Sequence, residues 1–271
     1  MKKLLNQFHH IKIFTFCLLT LGLVVSSQAD DPDKMPTAEK VMMKFTEACG
    51  GADKFKAIKS MKMVGELNIP SFGLKGKLEV IQVMPNKVYT KAIIPGAGSE
   101  TQVTNGDIAW ALSTTSGARL VEGKEFEQLK EESNMDRFVD PMNFYKEVKV
   151  AGLEDVAGEK CYKVNITKKS GDKSTEYFSV KSGMQVKSET TLVTPMGDMK
   201  AESMIKKYKE VEGMKFPAET SISIQLGERV LTFDTIEINP EIDPKLFEVP
   251  DEIKELVEAK MKDEKGKDSD G

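Results

Sequence analysis

The stretches KKYKEVEGMKFP (residues 206–217), RVLTFDTIEINP (229–240) and DPKLFEVP (243–250) decide the fold. The first reads as a strand that turns at Glu212-Gly213 and leaves as a second strand. The next is one long strand stopped by Asn239-Pro240, and the third is a fixed exit turn. Upstream lie more segments of the same kind: 147–153, 160–168, 174–180, 184–194 and 199–211. Turn chemistry separates them at Gly171-Asp172, Ser182-Gly183 and residues 195–198.

The N-terminal half repeats the pattern. In Ser60–Ile69, Met61, Met63, Leu67 and Ile69 fall on one face, and Ser60, Lys62, Glu66 and Asn68 on the other. Residues 76–84 run to Pro85-Asn86, and 87–94 run to Pro95-Gly96. Residues 101–104 and 107–112 flank Asn105-Gly106, a hairpin signal. Ile108, Trp110 and Leu112 share a face. Each strand is followed closely by the next, which predicts an antiparallel meander and a mainly β (α+β) class.

Helices punctuate this. Residues 37–49 form an amphipathic helix capped by Thr37, with Val41, Phe45, Ala48 and Cys49 on one face and Gly50-Gly51 as its stop. Residues 53–58 add a short turn of helix. At Gly123 the strand pattern breaks. Residues 124–135 are helical, with Phe126 and Leu129 as the apolar anchors of an otherwise acidic segment, and Asp140-Pro141 starts a second short turn that ends near Tyr145. Residues 251–262 read as a charged helix and 263–271 as a disordered polar tail.

Residues 1–29 read as a secretory signal: Lys2, Lys3 and Lys12, an apolar run over 13–25, and Ser27-Gln28-Ala29 before the cleavage site. Cleavage after Ala29 predicts a periplasmic protein. Cys17 follows Phe16, where lipidation requires a small residue, so it reads as part of the apolar run. The removed segment carries three lysines and no acid, so the formal net charge moves from −4 to −7. An acidic chain whose only arginines are Arg119, Arg137 and Arg229 lacks the basic stripe of a nucleic-acid binder. Residues 30–250 suit one domain, expected as a monomer.

Both histidines, His9 and His10, fall within the signal. That removes serine–histidine and cysteine–histidine catalysis and histidine metal sites. No acid pair is patterned for acid–base work, and no calcium loop is present. The expectation is a non-enzyme with no catalytic residue, metal or cofactor. Cys49 and Cys161 are either bridged or two buried thiols. Met61 and Met63 are lining for an adaptable apolar cavity, plain core, or a soft pair for Cu(I). Trp110 either walls that cavity or packs under helix 124–135.

Four local motifs occur in a fixed order: Ala48-Cys49-Gly50-Gly51, Asn105-Gly106-Asp107 leading to Trp110, Glu176-Tyr177-Phe178, and residues 213–217. In that order the chain resembles the LolA/LolB-like periplasmic outer-membrane lipoprotein-sorting proteins. The resemblance implies a strongly bent antiparallel sheet forming an unclosed β-barrel, with an N-terminal helix and a helical lid insertion. It implies a carrier for a lipid, a lipoprotein acyl chain or another apolar ligand, with Met61, Met63, Leu67, Ile69 and Trp110 as cavity lining and Phe126 and Leu129 on the lid. A second implied role is an RseB-like sensing module that binds an envelope protein partner. Such carriers hold the lid with an arginine on an early strand. Here the early cations are Lys62, Lys75 and Lys77, so the resemblance carries fold and compartment but not the release mechanism.

Overall fold

The computed structural model describes residues 35–267 apart from Met196. The export segment with Cys17 and both histidines, and residues 268–271, lie outside the described residues. Two helices come first, α1 (Ala38–Ala48) and α2 (Ala52–Ala57), followed by β1 (Ser60–Ile69), β2 (Leu74–Val83), β3 (Lys87–Ile94), β4 (Gly98–Thr104), β5 (Ala109–Ser113) and β6 (Gly117–Val121). Three helices follow: α3 (Gly123–Ser133), α4 (Asp136–Val139) and α5 (Pro141–Phe144). The second strand block is β7 (Glu147–Val156), β8 (Glu159–Thr167), β9 (Lys173–Ser179), β10 (Gln185–Thr194), β11 (Gly197–Val211), β12 (Met214–Ile224) and β13 (Gly227–Ile238). A 3-10 turn (Pro244–Phe247) leads into α6 (Asp251–Lys267).

The strands form one antiparallel sheet in the order β6-β5-β4-β3-β2-β1-β13-β12-β11-β10-β9-β8-β7. Each block is the expected meander. The first and last strands join them, with Met61 opposite Ile238, Met63 opposite Ile236 and Leu67 opposite Leu231. The ends of the sheet, β6 and β7, do not pair with each other. The barrel is unclosed, and α3–α5 carry the chain from one edge to the other.

The sheet must curl. Val41, Met42 and Phe45 of α1 lie in one buried cluster with Met61 of β1, Ile236 of β13, Phe216 of β12, Phe178 of β9 and Val148 of β7. Strands β1 and β7 are seven places apart, roughly 34 Å across a flat sheet at ~4.8 Å per strand. One compact cluster that packs on a short helix gathers side chains of both strands only if the sheet wraps around it, so the α1 side is the inner face. Gly65 of β1 permits the bend: a Cβ there would lie 1.8 Å from the Thr232 carbonyl oxygen, and the β1–β13 register shifts at that point.

The end of α1 explains the Gly-Gly pair. Gly50 has φ +120°, and a Cβ on it would meet the Gly213 carbonyl oxygen at 2.7 Å. The Lys215 amide donates to the Cys49 carbonyl at 3.0 Å, and Lys54 Nζ donates to the Gly213 carbonyl at 3.0 Å. The helix stop and the Glu-Gly turn, distant in sequence, therefore lock together.

Three segments depart from the sequence expectation. Strand β6 forms from Gly-Ala-Arg-Leu-Val, which has no alternation. Its turn supplies the order, because Ser113 Oγ accepts from the amides of Thr115 and Ser116, both at 3.3 Å. Helix α4 occupies a stretch with no strong local pattern. Helix α6 continues past residue 262 to Lys267, into part of the expected tail.

Candidate functional site

Registers across the sheet define which side chains share the inner face. One row runs Ile236–Met63–Val80–Thr90–Gln102–Ala111–Arg119. Another joins Ile205, Thr220, Leu231 and Leu67. Met61 is 5 % exposed and belongs to the packed cluster under α1 and α2. Met63 and Phe233 are half-buried at its margin. Beyond them Leu67, Ile69, Ile205, Ile222 and Leu231 are half-buried and outside that cluster. The inner face thus has a plugged end, where α1, α2 and α4 fill it, and an apolar end that stays partly accessible.

Trp110 is not on this face. It is the neighbour of Ala111, which belongs to the Met63 row, and adjacent strand residues point to opposite faces. At 1 % exposure it packs with Ile81, Tyr89, Val103, Phe247 and Ile253, on the outer face under the 3-10 turn and α6. Both alternatives read from sequence, cavity wall and packing under helix 124–135, are corrected: α6 covers the large indole instead. The cysteines divide the same way. Cys49 packs on the inner face, while Cys161 packs with Val156 and Tyr177 in a separate cluster. Both are free thiols, so they are not bridged. Burial pushes Cys49 up to about 12 and Cys161 to about 11, which leaves both un-ionised and unreactive at neutral pH.

Helix α3 packs against strands of both blocks. Phe126 and Leu129 pack on Ala109, Ala111 and Val121 of β5 and β6, as apolar anchors do. Arg119 of β6 grips Glu125 with two bonds, 2.9 and 2.8 Å. On the far side the Gln128 amide accepts from the Val193 N–H at 2.9 Å and donates to the Thr191 carbonyl at 3.0 Å. It takes the place of a strand residue where β10 runs on past β9. Lys168, at the end of β8, pairs with Glu131 at 3.3 Å, both well buried. The helix is therefore tethered to both ends of the curled sheet.

Beneath it sits an ionisable group: Glu131 and Glu132 of α3, Arg137 of α4, Tyr145, Lys168 and Glu176 of β9. Glu176 is only half-buried by area, but protein surrounds it, and burial pushes its carboxyl up to about 7 against the pull of Arg137 and Lys168. Glu132 is exposed by area, yet burial also leads the upward shift of its carboxyl. Tyr145 is held un-ionised by burial and by Glu176. Sequence reading assigned these residues no functional role, because Glu131-Glu132 looks like a solvated helix face and Glu176 served only as part of a strand motif.

An open groove of about 1060 Å³ lies between α3, α5 and the turn after β8, lined by Lys124, Glu127, Glu131, Asn134, Asp140 and Asp172 among others. Most of the residues that line it carry charged or polar side chains. Among the described residues no group of three metal-ligating side chains converges. No described helix is long and apolar enough to cross a membrane.

No protein-family model matches the chain, and no curated protein matches its sequence. Solved structures do match its shape. A DUF1329 family protein from Desulfovibrio piger superposes with TM-score 0.52 at 12% identity, covering 75% of this chain and 95% of its own. A LolA superfamily protein from Nitrosomonas europaea superposes with TM-score 0.51 at 15% identity, covering 79% and 99%. At such identities the likeness is one of fold, and that fold is LolA/LolB-like.

Proposed function

We propose that this LolA/LolB-like chain is an exported carrier that holds a lipid, an acyl chain or another apolar ligand on the inner face of its sheet, without catalysis. The observation that carries the reading is the division of that face. Met61 and its neighbours are sealed in core, whereas Leu67, Ile69, Ile222 and Leu231 stay half-buried on the same curled surface. A soluble protein that keeps an apolar concavity partly open has a use for it. Met63, at the boundary, supplies an adaptable contact.

Export to the periplasm follows from the signal read over residues 1–29, with cleavage after Ala29. N-terminal sequencing of the exported protein should begin at Asp30. The ligand is tested by native mass spectrometry of protein purified from a diderm host, followed by organic extraction. A stoichiometric apolar adduct is expected, and its loss in Leu67→Asp would tie it to the inner face. Protein that arrives with no adduct and takes up none from added lipid overturns the carrier reading. It would then favour the alternative, a sensing module whose partner is an envelope protein.

A further inference from the structure

Two of the chain's three arginines, Arg119 and Arg137, lie near α3, and Arg229 is exposed on β13. Arg119 is committed to Glu125 by two bonds. Lys168, the other cation beneath α3, is committed to Glu131. Among the described residues Arg137 makes no side-chain hydrogen bond or close ion pair, and its Nε is buried without an acceptor. An orphaned guanidinium N–H inside a protein costs stability until an acceptor reaches it.

Its position is fixed. The guanidinium lies 4.6 Å from the centre of the Phe138 ring. Phe138 stacks on Phe55 at 5.0 Å and tilts against Phe45 at 6.1 Å, so the platform is anchored in the core. Phe138 and Tyr145 pack against the same cluster as Met63 and Phe233, which border the open apolar surface. The guanidinium therefore stands on a ring that packs into the same core cluster as Met63 and Phe233, at the border of the half-buried apolar track. The charged and titratable groups around it are Glu131 and Glu132 from α3, Tyr145 from the segment before β7, Lys168 from β8 and Glu176 from β9. None of them bonds it.

We propose that Arg137 is the head-group site for an anionic amphiphile: it receives a carboxylate or phosphate-type oxyanion while the tail lies along Met63, Phe233, Leu231 and Leu67. The inference rests on the carrier reading and specifies its ligand class. A planar fork of N–H donors suits an oxyanion, and a ring behind the fork leaves its edge free to bind. Protonated Glu176 adds a donor to such a head, so binding tightens as pH falls through the neutral range.

The test uses three amphiphiles with the same dodecyl tail, each below its micelle concentration: dodecanesulfonate, whose charge is constant with pH, dodecyl maltoside and dodecyltrimethylammonium. Titration calorimetry on the full exported chain should show dodecanesulfonate binding at least ~10-fold tighter than the other two. The preference should grow from pH 8 to pH 6, and inorganic sulfate should not compete. Arg137→Gln should abolish the preference while leaving dodecyl maltoside binding intact, and Arg137→Lys should retain part of it. Equal binding of the neutral or cationic probe, a preference that survives in Arg137→Gln, or equally tight binding of free sulfate overturns the proposal and leaves the carrier reading standing. Failure of all three probes to bind overturns both.

Discussion

Arg119 of β6 and Glu125 of α3 share two hydrogen bonds, Nη1 to Oε2 at 2.9 Å and Nη2 to Oε1 at 2.8 Å. Both side chains are partly shielded, at 33% and 18% accessible. Because an arginine fork matches a carboxylate, this pair fixes the angle at which α3 leaves the sheet edge as well as its attachment. Phe126 and Leu129 alone would bury at most ~3–6 kcal/mol, before the cost of ordering the segment.

Removing the fork should loosen the helix selectively. Arg119→Gln is expected to cost about 1–2 kcal/mol and to speed amide exchange across α3 while β10 stays protected. In the wild type, α3 should exchange faster than β10, and an apolar ligand should change its rate. Slow exchange in α3 that neither the substitution nor added lipid alters would mark a static cap and favour the protein-partner reading.

The two ends of β1 should answer differently to substitution. Met61 is sealed under α1, so Met61→Ala should lower stability by about 2–5 kcal/mol through lost contacts and a residual cavity. Leu67 is half-buried, so Leu67→Asp should cost only roughly 1 kcal/mol, about half the transfer energy of a leucine. Affinity for an apolar probe such as an anilinonaphthalene dye should follow the opposite order: retained in Met61→Ala and lost in Leu67→Asp. Met63→Asp, at the boundary, should lose both. Denaturant melts and dye titrations on the same samples separate the outcomes, and equal stability losses at 61 and 67 would mean the inner face is core throughout.

Alternation within a strand was legible from sequence, but the identity of the inner face was not. Met61 and Met63 alternate with Ser60 and Lys62, and Ile108, Trp110 and Leu112 share a face. Nothing local relates those two faces to each other. The relation runs through the register from β1 to β5 and through the β1–β13 pair, which joins residues near opposite ends of the described chain. Trp110 was misplaced for that reason, and because α6, which covers it, reads only as a charged helix. The roles of Arg137 and Glu176 were illegible for a different one: each looks like a surface residue until α3 and α4 close over the sheet.

The placement of Trp110 gives a spectroscopic prediction. It is the only tryptophan and is fully buried on the outer face. Its emission should be blue-shifted, resistant to acrylamide, and unchanged when an apolar ligand binds. Trp110→Ala should cost about 3–5 kcal/mol without altering ligand affinity in the fraction that remains folded. A ligand-induced change in emission would place the ligand, or a coupled movement, on the outer face.

The last prediction concerns pH. Burial raises Glu176 from 4.5 to about 7 in the folded chain. Between those values the unfolded chain has lost the proton that the folded chain still holds. The unfolded state binds fewer protons there, so stability falls as pH rises. The contribution is fully present below the unfolded value and lost once pH passes the folded one. A shift of that size corresponds to a decline on the order of 3 kcal/mol across the window. Glu176→Gln keeps the shape and removes the titration. Glu132, also raised, stays in both proteins, so its own slope largely cancels in the comparison. Urea melts at half-unit steps from pH 4.5 to pH 8 should therefore give a difference that grows through the window in favour of the glutamine variant and then levels off. Parallel curves would mean that Glu176 is wetted well enough to ionise normally in the folded chain.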